Sequence, residues 1–170
     1  MLLDFKKYIF VFTTLFLSSC RGEDESDLQK IDQVLNIYIK NAAGKDLLNT
    51  NIPGGFTAVR AQDLNADRSL QDITGISVKK DQDTIAYVDY ATGAVRILKD
   101  SISPSQKMYQ SDFYINLSKI VNKETVTDVD TVKVEYNWSP NLFQVSKVWY
   151  NNKLSFSKVE GQPNIIHIVK

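Results

Sequence analysis

A single cysteine, Cys20, leaves the chain without an internal disulfide, and one cysteine with one histidine cannot build the familiar Cys/His zinc arrangements. Twenty basic side chains balance twenty acidic ones, so there is no positive field that would point to nucleic acid or an acidic surface as partner. A hydrolytic serine triad needs a histidine as general base. The lone His167 sits in the apolar run Ile165–Val169 near the C-terminus, and no Gly-x-Ser-x-Gly turn is present. Gly54-Gly55 follow a proline and lack the Lys-Ser/Thr of a phosphate loop. No internal repeat and no second domain is visible. What remains is a chain of 170 residues, 43% hydrophobic, enough for one domain with a core.

The first twenty residues have the organisation of an export signal. Lys6 and Lys7 precede the apolar run Tyr8 to Leu17, which small residues follow. As a helix that run covers about 15 Å, against about 30 Å for a bilayer's hydrocarbon core. It is too short to span. Leu17-Ser18-Ser19-Cys20 resembles a bacterial lipobox, which implies cleavage between Ser19 and Cys20 and fatty acylation of the Cys20 sulfur. Small side chains before the cysteine let an extended backbone enter a protease groove. At about 0.8 kcal/mol per buried CH2, one acyl chain binds reversibly and two or more hold firmly. The expectation is a signal peptide over residues 1–19, with a membrane anchor and no transmembrane helix.

Residues 20–33 are expected to form the lipidated cysteine and a flexible tether, because Glu23-Asp24-Glu25-Ser26-Asp27 is too charged to order alone. Twelve residues, 21 to 32, reach at most about 40 Å. The lipobox and acidic stretch are similar to those of short lipoproteins of Bacteroidota. So are the segments Ile37-Tyr38-Ile39-Lys40-Asn41-Ala42-Ala43-Gly44-Lys45-Asp46-Leu47-Leu48 and Lys147-Val148-Trp149-Tyr150-Asn151-Asn152-Lys153. The resemblance implies a place on the outer membrane, exposed at the cell surface, and a β-rich domain. It brings no activity with it.

From residue 34 to 170 the hydrophobic pattern has period two. Leu35, Ile37 and Ile39 alternate with Asn36, Tyr38 and Lys40; Phe113, Ile115 and Leu117 with Tyr114 and Asn116; Val132, Val134, Tyr136 and Trp138 with Lys133, Glu135 and Asn137. Further strands are predicted over 73–79, 84–90, 94–99, 143–150, 153–159 and 164–169. Asp81-Gln82-Asp83, Ala91-Thr92-Gly93 and Asn151-Asn152 supply turns, the last a tight primed one. A slip in the alternation at Ser146-Lys147 predicts a β-bulge. Residues 49–70 lack periodicity and predict a long connection, with one short strand or helical turn near 62–70. The fold expected is all-β, an antiparallel sandwich of eight or nine strands of immunoglobulin-like kind, with a small closed barrel as the alternative. Trp138 and Trp149 are the rings large enough to fill its centre.

Few constellations carry chemistry. Asp63, Asn65 and Asp67 place oxygen ligands at alternate positions, as a calcium-binding loop does. Arg68 then stands where such a loop needs glycine, and Thr74 where it needs a bidentate glutamate. Calcium is therefore the one cofactor with a candidate site, and otherwise none is expected. Asp81/Asp83 and Asp128/Asp130 are carboxylate pairs in apparent turns. Thr84, Ser101 and Thr131 each follow an aspartate and precede an apolar residue, which resembles the sequon for O-glycans on exported Bacteroidota proteins. Tyr38 and Tyr114 fall on polar rows and are the candidate binding face. These residues favour a non-enzymatic module that binds protein or glycan at the membrane through its lipid anchor, with no nucleic acid involved. A small carboxylate enzyme or inhibitor and a periplasm-facing carrier of an apolar ligand are the alternatives.

Overall fold

The computed structural model describes residues 28–68 and 70–170. Ser19, Cys20 and the acidic residues through Asp27 lie outside the described residues. Among the described residues every regular element is a strand, and no helix is long and apolar enough to cross a membrane.

The strands are β1 (Lys30–Asp32), β2 (Leu35–Lys40), β3 (Ala58–Asp63), β4 (Gln71–Asp72), β5 (Ile76–Lys80) and β6 (Ala86–Tyr90). They continue with β7 (Ile97–Ser103), β8 (Gln106–Val121), β9 (Glu124–Ser139), β10 (Leu142–Tyr150), β11 (Lys153–Ser157) and β12 (Ile165–Val169). A large sheet runs β1-β10-β9-β8-β3-β4, with β11 also on β10 and β7 also on β8. A small sheet runs β12-β2-β6-β5. The result is an all-β, sandwich-like fold in which the large sheet curls as a half-barrel. The closed barrel is not what forms.

Two features depart from the pattern read in the sequence. Twelve strands form instead of eight or nine, and the additional ones are β1, β3 and β4. These are short or polar, and long-range pairing recruits them: Lys30 to Asp32 lie alongside Leu142 to Gln144, and Gln62 and Asp63 alongside Asp72 and Gln71. The strand near 62–70 therefore comes earlier, at β3. The sheets are also mixed, since β1 runs parallel to β10 and β12 parallel to β2. With eight and four strands, the order differs from a seven-stranded immunoglobulin arrangement.

β1 lies inside the segment expected to be tether, so the domain starts at Lys30 rather than at residue 34. Its attachment is specific. The Lys158 ammonium donates to the Asp32 carboxylate (2.6 Å), to Gln162 O (2.7 Å) and to Asn164 Oδ1 (2.8 Å), and Asn164 Nδ2 donates to Asp32 Oδ1 (2.8 Å).

Period-two burial does the rest. Leu35, Ile37, Ile39, Val88 and Tyr90 from the small sheet meet Phe113, Ile115, Leu117, Val132, Val134 and Tyr136 from the large one, all essentially sequestered from solvent. Each such side chain contributes about 1.5–3 kcal/mol by leaving water. The Tyr90 and Phe113 rings stack across the layers at 4.7 Å. Neither tryptophan fills the centre; both are half-buried.

The hairpins follow the turn chemistry. Asn151 and Asn152 both take positive φ (49° and 64°), as a primed turn between β10 and β11 requires. The register slips between Val145 and Lys147, where the bulge was expected. That slip points Val148 and Tyr150 inward and Trp149 outward.

Candidate ligand-binding face

The outer face of the large sheet brings together three of the candidate residues, Tyr114, Thr131 and Asn65. Cross-strand register places Trp149 of β10 beside Lys133 of β9, and Lys133 beside Asp112 of β8. Two residues along, on the same face, Thr131 pairs with Tyr114 and Tyr114 with Gln62 of β3. A hollow of about 330 Å³ opens here, lined by Asn65, Asp112, Thr131, Lys133, Trp149 and their neighbours. The Lys133 ammonium stands 5.7 Å from the Trp149 ring centroid.

Its polar groups are already oriented. Asp112 Oδ2 accepts from Gln110 Nε2 (2.7 Å) and from Asn65 Nδ2 (3.3 Å). Asn116 Nδ2 donates to Gln62 Oε1 (2.9 Å), and Gln62 Nε2 donates to Asp72 Oδ1 (3.3 Å). Side chains held this way lose little further freedom when a ligand arrives. Planar amides, a carboxylate and an ammonium flank an indole across three strands.

Tyr114, Thr131 and Asn65 thus meet on one face, and Tyr38 does not join them. Tyr38 lies on the outer face of the small sheet, its ring 5.3 Å from Tyr87 and 5.2 Å from His167. Its hydroxyl donates to Asp81 Oδ2 (3.1 Å). Desolvation and the adjacent Asp81 carboxylate raise that hydroxyl's pKa above its ordinary value. The expectation of a shared Tyr38/Tyr114 face is corrected: alternate residues of two different layers point to opposite outsides.

The carboxylates read as loop residues have structural work. Asp63 is buried, with Oδ1 accepting the Asn65 N–H (2.8 Å) and Oδ2 the Val95 N–H (2.6 Å). Asn65 turns its amide to Asp112, and Asp67 is exposed. The three oxygen groups therefore serve backbone amides, a neighbouring strand and solvent, and they do not converge as the calcium reading required. Among the described residues no group of three or more His, Cys, Asp or Glu is placed to hold a metal ion.

Asp128 and Asp130 belong to β9 and not to a turn. Asp130 is buried and accepts from the Tyr150 hydroxyl (2.6 Å), from Asn151 Nδ2 (2.6 Å) and from the Lys170 ammonium. Burial pushes its pKa up, but the bonds from Lys170, Tyr150 and Asn151 and the charge of Lys170 outweigh it and hold the carboxyl below its ordinary 3.8. Tyr150 is driven upward by burial and by that same carboxylate. This saturated cluster ties the C-terminus to β9. Asp81 and Asp83 do lie in the β5–β6 turn, where Asp81 Oδ1 accepts the N–H groups of Asp83 and Ile85 (both 2.9 Å).

Of the glycosylation candidates, Thr84 is exposed in that same turn and Ser101 is exposed on β7. Thr131 is half-buried, with its N–H donating to Asn151 Oδ1 (2.8 Å). Trp149, Lys133, Asp112 and Gln62 were missed as site residues. The bulge at 146–147 was the available signal for Trp149, since it reverses which of the following residues face outward.

Comparison with protein-family models, with curated proteins and with solved structures finds no match for this chain.

Proposed function

We propose that this protein is a lipid-anchored, non-enzymatic glycan-binding module of the bacterial outer membrane, exposed at the cell surface. The observation that carries the binding half is the Trp149–Lys133–Asp112 row with Tyr114 beside it. The C–H face of a pyranose packs against an indole or phenol ring, and its hydroxyls pair with amide and carboxylate groups of fixed orientation. The localisation half rests on Leu17-Ser18-Ser19-Cys20 and the acidic residues after it. β1 starts at Lys30, so residues 21–29 allow a standoff from the lipid of at most about 30 Å.

Affinity electrophoresis of the detergent-solubilised protein through gels containing soluble polysaccharides tests the binding half. Retardation by at least one polysaccharide that Trp149→Ala abolishes is the expected result. Unchanged mobility across neutral and acidic polysaccharides, with a protein partner captured through the same face, would replace glycan by protein. The anchor is tested separately: Cys20→Ser should move the protein out of the membrane fraction, and continued sedimentation with envelopes would contradict it.

A further inference from the structure

The inner face of the large sheet is not covered along its whole length. Inward-facing positions of β8 run Leu117, Ile115, Phe113, Ser111, Tyr109, and they are fully buried as far as Ser111. From Tyr109 onward burial is partial, because the four-stranded small sheet ends sooner than the strands of β8, β9 and β10. At this open end a hollow of about 370 Å³ lies between the sheets' margins, walled by Tyr109, Trp138, Phe143 and Ile31. Its lining carries one full charge, the Arg96 guanidinium, and no carboxylate.

Arg96 is placed with care. Its Cζ lies 4.6 Å from the Phe143 ring centroid and 5.3 Å from that of Tyr136, rings that themselves stack at 5.2 Å. Nη2 donates to Gln33 Oε1 (2.5 Å) and to Thr92 Oγ1 (3.2 Å). The backbone that presents it is locked on three sides. Asp63 accepts the Val95 N–H, Ser111 Oγ donates to Val95 O (2.8 Å), and the Tyr90 hydroxyl accepts the Ala94 N–H (3.3 Å). The buried carboxylate that resembled a calcium ligand is thus a support for the loop bearing the arginine.

We infer that this end hollow is a second binding site, distinct from the outer face, which takes a small organic carboxylate carried on a ring. The reasoning is electrostatic and steric together. Of the guanidinium's five N–H donors, the two on Nη2 go to Gln33 and Thr92, and three remain. With both Nη2 hydrogens taken, Nη1 or Nε can still donate to one carboxylate oxygen in a charge-assisted bond. With no acidic group in the lining to compete, the site's one charge awaits an anion. Arg96 covers the Phe143 face, and the Tyr109 and Trp138 walls offer an apolar ring its stacking surface. The volume lies at the low end of the roughly 300–1,000 Å³ typical of small-molecule sites, which suits a single ring with its acid group rather than a chain of them.

Phenylacetate and its neutral isostere phenylacetamide are the probes, and Trp138 emission the readout, on the full chain in a Trp149→Phe background that leaves Trp138 as the one indole. Saturable change with phenylacetate, and binding of phenylacetamide weaker by about tenfold or more, is the expected result. Arg96→Gln should lose the same factor for the acid and change little for the amide. Equal binding of acid and amide, or no response to either, overturns the inference, and so does an Arg96→Gln protein that binds the acid as before. Should Arg96→Gln fail to fold, Arg96→Lys keeps the charge and should keep the preference for the acid; an Arg96→Lys protein that binds acid and amide equally also counts against the site. The two sites share no lining residue, and the glycan reading rests on Trp149 rather than Arg96, so failure here leaves it standing.

Discussion

On the small sheet, the Tyr38 ring packs between Tyr87 and His167 and its hydroxyl is held by Asp81; on the large sheet, Trp149 stands beside an open hollow with Lys133 and Asp112 across the neighbouring strands. Both surfaces are outward faces with aromatic rings at half-buried positions. The difference is what each ring's polar surroundings are doing. Around Tyr38 they close on the ring and bind it to the turn at Asp81. Around Trp149 most of them bond to one another, Gln110 and Asn65 to Asp112 and Gln62 to Asn116, and only the Lys133 ammonium, 5.7 Å from the centroid, stands over the ring. A surface aromatic suggests a binding site only when its neighbours leave it a partner to find.

The largest perturbation strikes both faces alike. Phe113→Ala removes the ring that stacks on Tyr90 between the layers, and a buried aromatic-to-alanine change typically costs about 3–5 kcal/mol. Equilibrium denaturation should report that loss, and any binding at either face should fall only with the folded fraction.

A smaller effect separates the layers by pH. The Asp130 carboxyl is held below its ordinary 3.8 in the folded protein, so its contribution is complete above that value and disappears as the pH falls through the lower folded one. Asp130→Asn should lower stability by about 1–3 kcal/mol at neutral pH and flatten the acid limb of a stability–pH curve. Denaturation midpoints measured from pH 7 down to pH 2 check both. Because Asp130 anchors Tyr150 and Asn151, the two residues after Trp149, the same variant should disturb the large-sheet face more than the small-sheet one.

The smallest change concerns the closed face. Tyr38→Phe deletes the hydroxyl bond to Asp81 and keeps the ring, at a cost of about 0.5–1.5 kcal/mol and with no effect on ligand binding.

Much of this was legible in the sequence, for local reasons. Rows such as Leu35/Ile37/Ile39 and Val132/Val134/Tyr136 announce one buried face each, and Asn151-Asn152 announces a primed turn, because period two and positive φ are properties of neighbouring residues. Lys30-Ile31-Asp32 announces nothing by itself; it becomes a strand because β10 has a free edge over 142–144. The full sixteen-residue lengths of β8 and β9 were hidden for a related reason. Their ends pair with each other, but at Ile120, Val121 and Val126 apolar side chains remain exposed and the alternation is lost. Buried Asp63 and Asp130 resembled loop residues because the groups that hold them, Val95 for one and Tyr150 and Lys170 for the other, are distant in the chain. The candidate face was out of reach in the same way, since Trp149, Lys133 and Asp112 meet only through register across three strands.

The most direct measurement is a matched pair of titrations. A polysaccharide that retards the protein is added to Trp149→Ala and to Tyr38→Ala, with amide chemical-shift changes followed in each. Loss of binding in Trp149→Ala by about tenfold or more, with Tyr38→Ala binding as the unaltered protein does and shifts centred on Lys133, Asp112 and Tyr114, is the predicted outcome. Binding that survives in Trp149→Ala and vanishes in Tyr38→Ala would contradict it.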